Sequence, residues 1–372
     1  MYFQGGNFFA NLIQFNPLES IKFFFSDASN YMNLPSVKGY HVLQHLKADD
    51  SIFMSKVSAL FCLIGFNEFL TSSMLFTLFC SIGSWLIFVV FSKLYPSATI
   101  YFAIGTLFFP TLAIWSSGIL KDPITLMAIG LIFYSTYKAS NGKGIITSLL
   151  IIAFAIYICM ALKPYVLYIF IPTMLIWTQS QIRANFKSSF VKNIIKPLTL
   201  LLSLLGGYLL INEISKDAGK YSIENLESVV KGFHSWHDYL ASTRDQSGYT
   251  LGEISYTPIG ILSKVPEGVF VTFFRPFPLF DTRNIATWFE AIQSFSLLIV
   301  SIYVILRAGF LKTVHTIYRN KDVTAFIFFA LVFGFAVGFT SYNFGALSRY
   351  KIPCLPFYTA ALAIIYHQGV IL

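Results

Sequence analysis

Charge is what this sequence has least of. Only 12% of its 372 residues are Asp, Glu, Lys or Arg, while 56% are hydrophobic and the mean hydropathy is +0.67. Soluble domains carry roughly 25% charged residues, so a water-soluble globule is excluded and a polytopic membrane protein is implied. Cysteine is scarce as well. Cys62, Cys80, Cys159 and Cys354 each fall inside an apolar run, where a thiol behaves as a small hydrophobe and implies neither a disulfide framework nor a metal motif. The Gly-X-Gly-X-X-Gly and P-loop fingerprints are missing, and Asn141-Gly142-Lys143-Gly144 is a short basic turn. That argues against an ATPase and against a nucleotide-sugar enzyme of soluble fold. Met1–Ser20 has neither the basic start nor the clean apolar core of a cleavable signal peptide.

Aromatic residues are abundant, with 40 Phe and 21 Tyr, which suits lipid-facing surfaces and interfacial belts. The net charge is +9. Because the basic residues lie mostly in short loops beside apolar runs, they are read as topology signals, and nucleic acid is not an expected partner. Spans are expected at about 72–92, 97–116, 124–138, 145–162, 164–179 and 197–213, then at 286–306, 323–341 and 352–369. Residues 51–68 are apolar but carry Lys56, Asn67 and Glu68, which are costly in lipid, so this run is read as an interfacial helix. Tyr2-Phe3-Gln4-Gly5 resembles the remnant of a cleaved tag, an expectation that puts natural sequence upstream.

Orientation follows from lysine and arginine. The 180–196 loop holds Arg183, Lys187, Lys192 and Lys196, and a second basic loop holds Arg307, Lys312, Arg319 and Lys321. With both in the cytoplasm, alternation also places Lys93, Lys138 and Lys143 inside, as the positive-inside rule requires. Gly118–Pro123, Lys163, the 214–284 stretch and Ser341–Lys351 then fall outside. The expected fold is all-α and polytopic, with about 9–11 transmembrane or interfacial helices. It divides into an N-terminal membrane module (1–213), an external loop domain (214–285) and C-terminal transmembrane helices (286–372). A connection as long as 214–284 is unusual, since most span roughly 4–6 residues.

The candidate chemistry gathers on that external face. Lys121 follows Ser116-Ser117-Gly118 and suits a phosphate, while Asp122 and Pro123 read as the cap and first turn of the next helix. Lys163, before Pro164, either snorkels to headgroups or joins Lys121. Arg275 stands in Phe273-Phe274-Arg275-Pro276-Phe277-Pro278. Its guanidinium matches a phosphate, or else stacks on those rings. Arg349 and Lys351 form a basic pair where the last helix begins, and Asp281 follows Arg275 in the loop. A hydroxyl acceptor needs a general base, for which Asp27, Asp49 and Asp50 are candidates, although Asp49-Asp50-Ser51 also reads as a helix start. His234 and His237, beside Asp238, have a spacing for proton shuttling or a metal, but they lack a third ligand nearby and read first as a solvated pair. No metal site is assigned; a divalent ion is the one cofactor left open.

Three pieces together resemble the polytopic glycosyltransferases of the C superfamily. Ser26-Asp27-Ala28-Ser29-Asn30-Tyr31 is similar to the Asp-X-X-X-Tyr of their first external loop. The run Phe53–Phe66 is similar to the interfacial helix that follows, and Ser348-Arg349-Tyr350-Lys351-Ile352-Pro353-Cys354-Leu355-Pro356 to their Arg-Tyr-X-X-Pro-X-X-Pro segment. Trp115-Ser116-Ser117-Gly118-Ile119-Leu120-Lys121-Asp122 also resembles a segment of bacterial membrane polysaccharide polymerases. The resemblance implies a polyprenyl-phosphate-linked sugar donor and a lipid, glycan or protein acceptor. It further implies Asp27 as base and a site on the outer face of a bacterial cytoplasmic membrane. A transporter of lipid-linked glycans or a non-catalytic envelope subunit are the alternatives outside enzymology. No internal repeat supports the transporter.

Overall fold

The computed structural model describes residues 1–15, 17–25, 48–185, 201, 247–255 and 257–371. Among these the regular structure is helical, and the one strand-like feature is an antiparallel bridge between Gly248 and Asn343. The chain opens with α1 (Tyr2–Phe15), α2 (Pro17–Phe24) and α3 (Asp49–Ile64), then α4 (Phe69–Leu94), α5 (Thr99–Thr106) and α6 (Pro110–Ser116). Next come α7 (Lys121–Ser140), α8 (Ile145–Leu162) and α9 (Pro164–Asn185). The second half holds α10 (Pro258–Ser263), α11 (Val265–Phe274), α12 (Ile285–Ala308), α13 (Phe310–Arg319), α14 (Lys321–Ser341), α15 (Phe344–Tyr350) and α16 (Leu355–Ile371). The expected all-α polytopic architecture is what the chain adopts. The expected span 197–213 lies outside the described residues.

Length and apolarity suffice for α4, α8, α12 and α14 each to cross a bilayer. The 97–116 run, expected as one span, is instead two helices meeting at a 51° bend. Pro110 is the cause. It has no N–H to continue a helix, and it drives Phe109 into extended backbone (φ −70°, ψ 121°).

The helices close on an aromatic core. Phe91 of α4, Phe133 of α7, Phe326 and Phe329 of α14, and Phe357 of α16 are fully buried. Their rings meet at 5.1 Å (Phe91–Phe326), 5.3 Å (Phe133–Phe357) and 5.1 Å (Phe329–Phe357), distances at which edge-to-face pairs add to area burial. Close approach is set by small residues, as lipid-embedded helices require. A Cβ on Gly83 of α4 would collide with Met127 Cα of α7, and one on Gly130 of α7 with the Gly83 carbonyl. Gly338 of α14 meets the Gly268 carbonyl of α11 in the same way, and Thr272 Oγ1 donates to the Gly334 carbonyl at 2.7 Å. The pairing of 268 with 338 and 272 with 334 makes α11 antiparallel to α14. The described part of the long 214–284 stretch therefore returns alongside the bundle.

Polar side chains collect at both ends. At one, Tyr95 donates to Asp322 (2.8 Å), Trp177 Nε1 donates to the same carboxylate (2.9 Å), and Lys93 lies 5.7 Å from the Tyr134 ring. This is the end of the basic connections. At the other lie the ends of α8 and α14 and the starts of α7 and α12.

Candidate functional site

Helix α7 begins abruptly. Leu120 is extended (φ −132°, ψ 162°) and offers no side-chain cap, while Pro123 fits a first turn, where an N–H would be unsatisfied anyway. Asp122 therefore does not cap the helix as its position suggested. Its carboxylate turns into the bundle and is 1% exposed. Lys163, caught between the end of α8 and Pro164, is held out of helical backbone (φ −150°) and swings to the same point. Arg349 arrives from the last turn of α15.

The three side chains interlock. Lys163 Nζ lies 2.5 Å from Asp122 Oδ1, and Arg349 Nη2 and Nε donate to Oδ2 at 2.9 and 3.3 Å. Lys163 is buried beneath the Tyr350 ring, 4.8 Å from its centroid, so it does not reach headgroups. Arg349 sits 5.3 Å from the centre of Trp115, whose Nε1 donates to Ser348 Oγ at 3.0 Å. Burial pulls the Arg349 guanidinium down, but the Asp122 carboxylate outweighs this and holds its pKa above the ordinary value. Next in sequence to Asp122, Lys121 holds the Asp50 carboxylate and Ser51 Oγ (3.1 Å). Asp49 and Asp50 form the first turn of α3, as their spacing predicted.

Arg275 forms a second cluster. Its Nε and Nη2 grip Asp281 at 2.9 and 2.5 Å, and Asp281 also accepts from the Phe277 N–H at 2.7 Å. The guanidinium rests on Phe344 of α15, 5.4 Å from its centroid. The ring beneath it is thus a distant one rather than Phe273, Phe274 or Phe277. A cavity of about 570 Å3 opens beside Arg275 and Asp281.

Of a third polar group the sequence singled out only Lys351, as the basic neighbour of Arg349, and not Glu290, Thr111 or Gln293. Lys351 is 1% exposed and paired with Glu290 of α12 at 2.5 Å. Thr111 Oγ1 donates to Glu290 Oε2 at 3.1 Å, and Gln293 Nε2 donates to Thr111 Oγ1 at 2.5 Å. A signal was available, because Glu290 is an acidic residue inside the apolar 286–306 run and ionisable groups in spans mark function. Glu290, Thr111 and Gln293 line a cavity of about 460 Å3 whose wall includes Trp115, Ser348 and Phe344. Pro110, Phe289 and Gln293 also line an apolar groove of about 600 Å3 between α5, α12 and α16.

The structure thus brings Asp50, Lys121, Asp122, Lys163 and Arg349 together and sets Arg275 with Asp281 on the neighbouring side of α15. Asp27, His234 and His237 lie outside the described residues. Among the described residues no three His, Cys, Asp or Glu side chains converge on a point that could hold a metal ion. Comparison of the chain with family models, curated proteins and solved structures yields no match.

Proposed function

We propose that this protein is an integral membrane glycosyltransferase that takes a sugar from a polyprenyl-phosphate or -pyrophosphate donor at the polar end of the bundle. The observation that carries this reading is the convergence of Lys121, Lys163 and Arg349 on Asp50 and Asp122, from helices far apart in sequence. Of these paired groups one positive charge is left over, which suits an anionic headgroup. Two of the three cations, Lys121 and Lys163, keep only 12% and 9% of their side chains exposed, so lipid anchoring does not account for them.

The chemistry follows from the parts. Fixed cations preorganised around a leaving phosphate stabilise the charge that develops as the sugar–phosphate bond breaks. Arginine adds paired donors of the right geometry for phosphate oxygens. The apolar groove that adjoins the Glu290 cavity offers a prenyl chain a path along the bundle, lined by Tyr101, Leu297, Val300 and Leu362. An acceptor hydroxyl must lose a proton. Asp50 stands in the cluster as one base, and Asp27 is the carboxylate that the family resemblance points to. A glycan polymerase uses the same parts with a lipid-linked acceptor. The proposed setting is a bacterial cytoplasmic membrane with the polar end outside.

Binding of undecaprenyl phosphate to the purified protein in detergent tests this. Arg349→Ala is expected to weaken saturable binding tenfold or more, which is about 1.4 kcal/mol, and Arg275→Ala to weaken it less. Equal binding by all three proteins, or none by wild type, removes the donor site from this end of the molecule.

A further inference from the structure

Resting on the glycosyltransferase reading, we propose that the 460 Å3 cavity binds the sugar ring of the acceptor, and that Glu290 accepts the proton of the attacking hydroxyl. The cavity has the two features that sugar recognition needs. An aromatic wall, from the half-buried Trp115, offers a flat apolar face to the C–H side of a ring. Hydrogen-bonding groups, from Glu290, Gln293 and Ser348, meet the hydroxyls. Among the described residues no cation other than Lys351 touches Glu290, and Lys351 is enclosed at 1% exposure. The cavity therefore presents a carboxylate and amide to a neutral hydroxylated ligand, not a phosphate site.

Glu290 is held in place for this task. Lys351 forms an ion pair with one oxygen at 2.5 Å and Thr111 donates to the other at 3.1 Å, while Gln293 in turn holds Thr111 through its backbone N–H (2.6 Å) and its hydroxyl. Glu290 is 11% exposed, whereas Asp50 is 39% exposed and its partner Lys121 belongs to the donor cluster. The segment at the end of α15 also links the two sites. Ser348 bonds Trp115 at the cavity wall, Arg349 joins the cation cluster, and Lys351 holds Glu290. Trp115 itself carries Arg349 on its ring and lines the cavity. A ring stacked there would place a hydroxyl between the carboxylate and the donor phosphate cluster.

The step balances without a further reagent. The acceptor O–H proton passes to the Glu290 carboxylate, and the oxygen forms a bond to the donor's anomeric carbon. The bond from that carbon to the phosphate oxygen breaks, and its electron pair leaves on the prenyl phosphate, held by Lys121, Lys163 and Arg349.

The experiment uses octyl β-glucoside as the acceptor probe, full-length protein in nanodiscs, and a lipid extract of the source cells as donor mixture. Binding of the glycoside and undecaprenyl phosphate is read by native mass spectrometry, and any glycosylated octyl glucoside by product mass. The expected result is saturable glycoside binding that Trp115→Ala and Glu290→Ala each weaken tenfold or more. Glu290→Gln should retain both ligands yet lose product by a hundredfold or more. Wild-type glycoside binding that does not saturate, or that both alanine variants share, overturns the acceptor cavity. Product from Glu290→Gln at the wild-type rate overturns Glu290 as base and leaves the donor reading standing. If wild type binds no undecaprenyl phosphate and yields no product, the glycosyltransferase reading and with it the base role fall. The glycoside titration then decides the sugar cavity alone.

Discussion

Asp122 is the residue that ties the polar end together. One carboxylate, 1% exposed, serves Lys163 and Arg349 from two other helices. Removing one member of a buried ionic group leaves the rest desolvated and unpaired, which costs roughly 3–5 kcal/mol, whereas the intact group is worth far less than that in net stability. Asp122→Asn, which keeps the shape and deletes the charge, is expected to lower stability by about that amount, read as thermal unfolding in detergent. An unchanged midpoint would mean that the two cations are not held by this carboxylate. Sequence reading marked Lys121, Lys163, Arg349 and Asp122 individually but not their partnership. The reason is distance along the chain: Asp122 and Arg349 are 227 residues apart, while capping and periodicity rules reach about four residues. A residue that looked like a local cap was therefore a long-range contact. Glu290 itself was readable as an acidic residue in an apolar run, but its partners Lys351 and Thr111 lie in other elements and were not.

Among the elements, the apolar runs were legible because a bilayer demands length and hydrophobicity from each helix alone. Two features escaped that test. The break before Pro110 is written in the sequence, yet averaging over a span hides three residues. The ten-residue α11 sits among polar neighbours, so its pairing with α14 depends on Gly334 and Gly338 rather than on hydropathy. Helix contacts also separate glycines that look alike. Gly118, within the segment that resembles a polymerase motif, has open space around it, whereas Gly130 lies on the backbone of Gly83. Gly130→Val must push α4 and α7 apart, and a loss at or above the usual overpacking range of about 1–3 kcal/mol is expected. Gly118→Ala should be near neutral. Comparing the unfolding midpoints checks both, and a stable Gly130→Val would refute the close packing of these helices.

For the molecule as a whole, the lysine and arginine asymmetry was the most informative signal. It separated Lys93, Lys138 and Lys143 from Lys121 and Lys163, and the two ends of the bundle divide these residues in the same way. Composition was less informative about phenylalanine, since several of the rings assigned to lipid make the core instead. The four cysteines are buried, so single introduced thiols report orientation against a quiet background. In intact spheroplasts a membrane-impermeant maleimide is expected to label Arg283→Cys and to reach Lys143→Cys only after lysis. The reverse pattern would invert the topology and move the polar end to the cytoplasm.

Five cations of that end share one property. Lys121, Lys163, Arg275, Arg349 and Lys351 each already hold a carboxylate of this chain. On the proposed reading a headgroup does not dock onto bare charge. It exchanges with a tethered anion, and its affinity is the difference between two attractions. Chloride, singly charged and well hydrated, gains too little from any one cation to displace a carboxylate held nearby by its own backbone. A phosphate spanning several cations at once does win that competition, and the displaced Asp50, already half in water, has solvent to turn into. The paired resting state would thus act as a selectivity device, closed to the salt outside the cell and open to a multiply charged lipid.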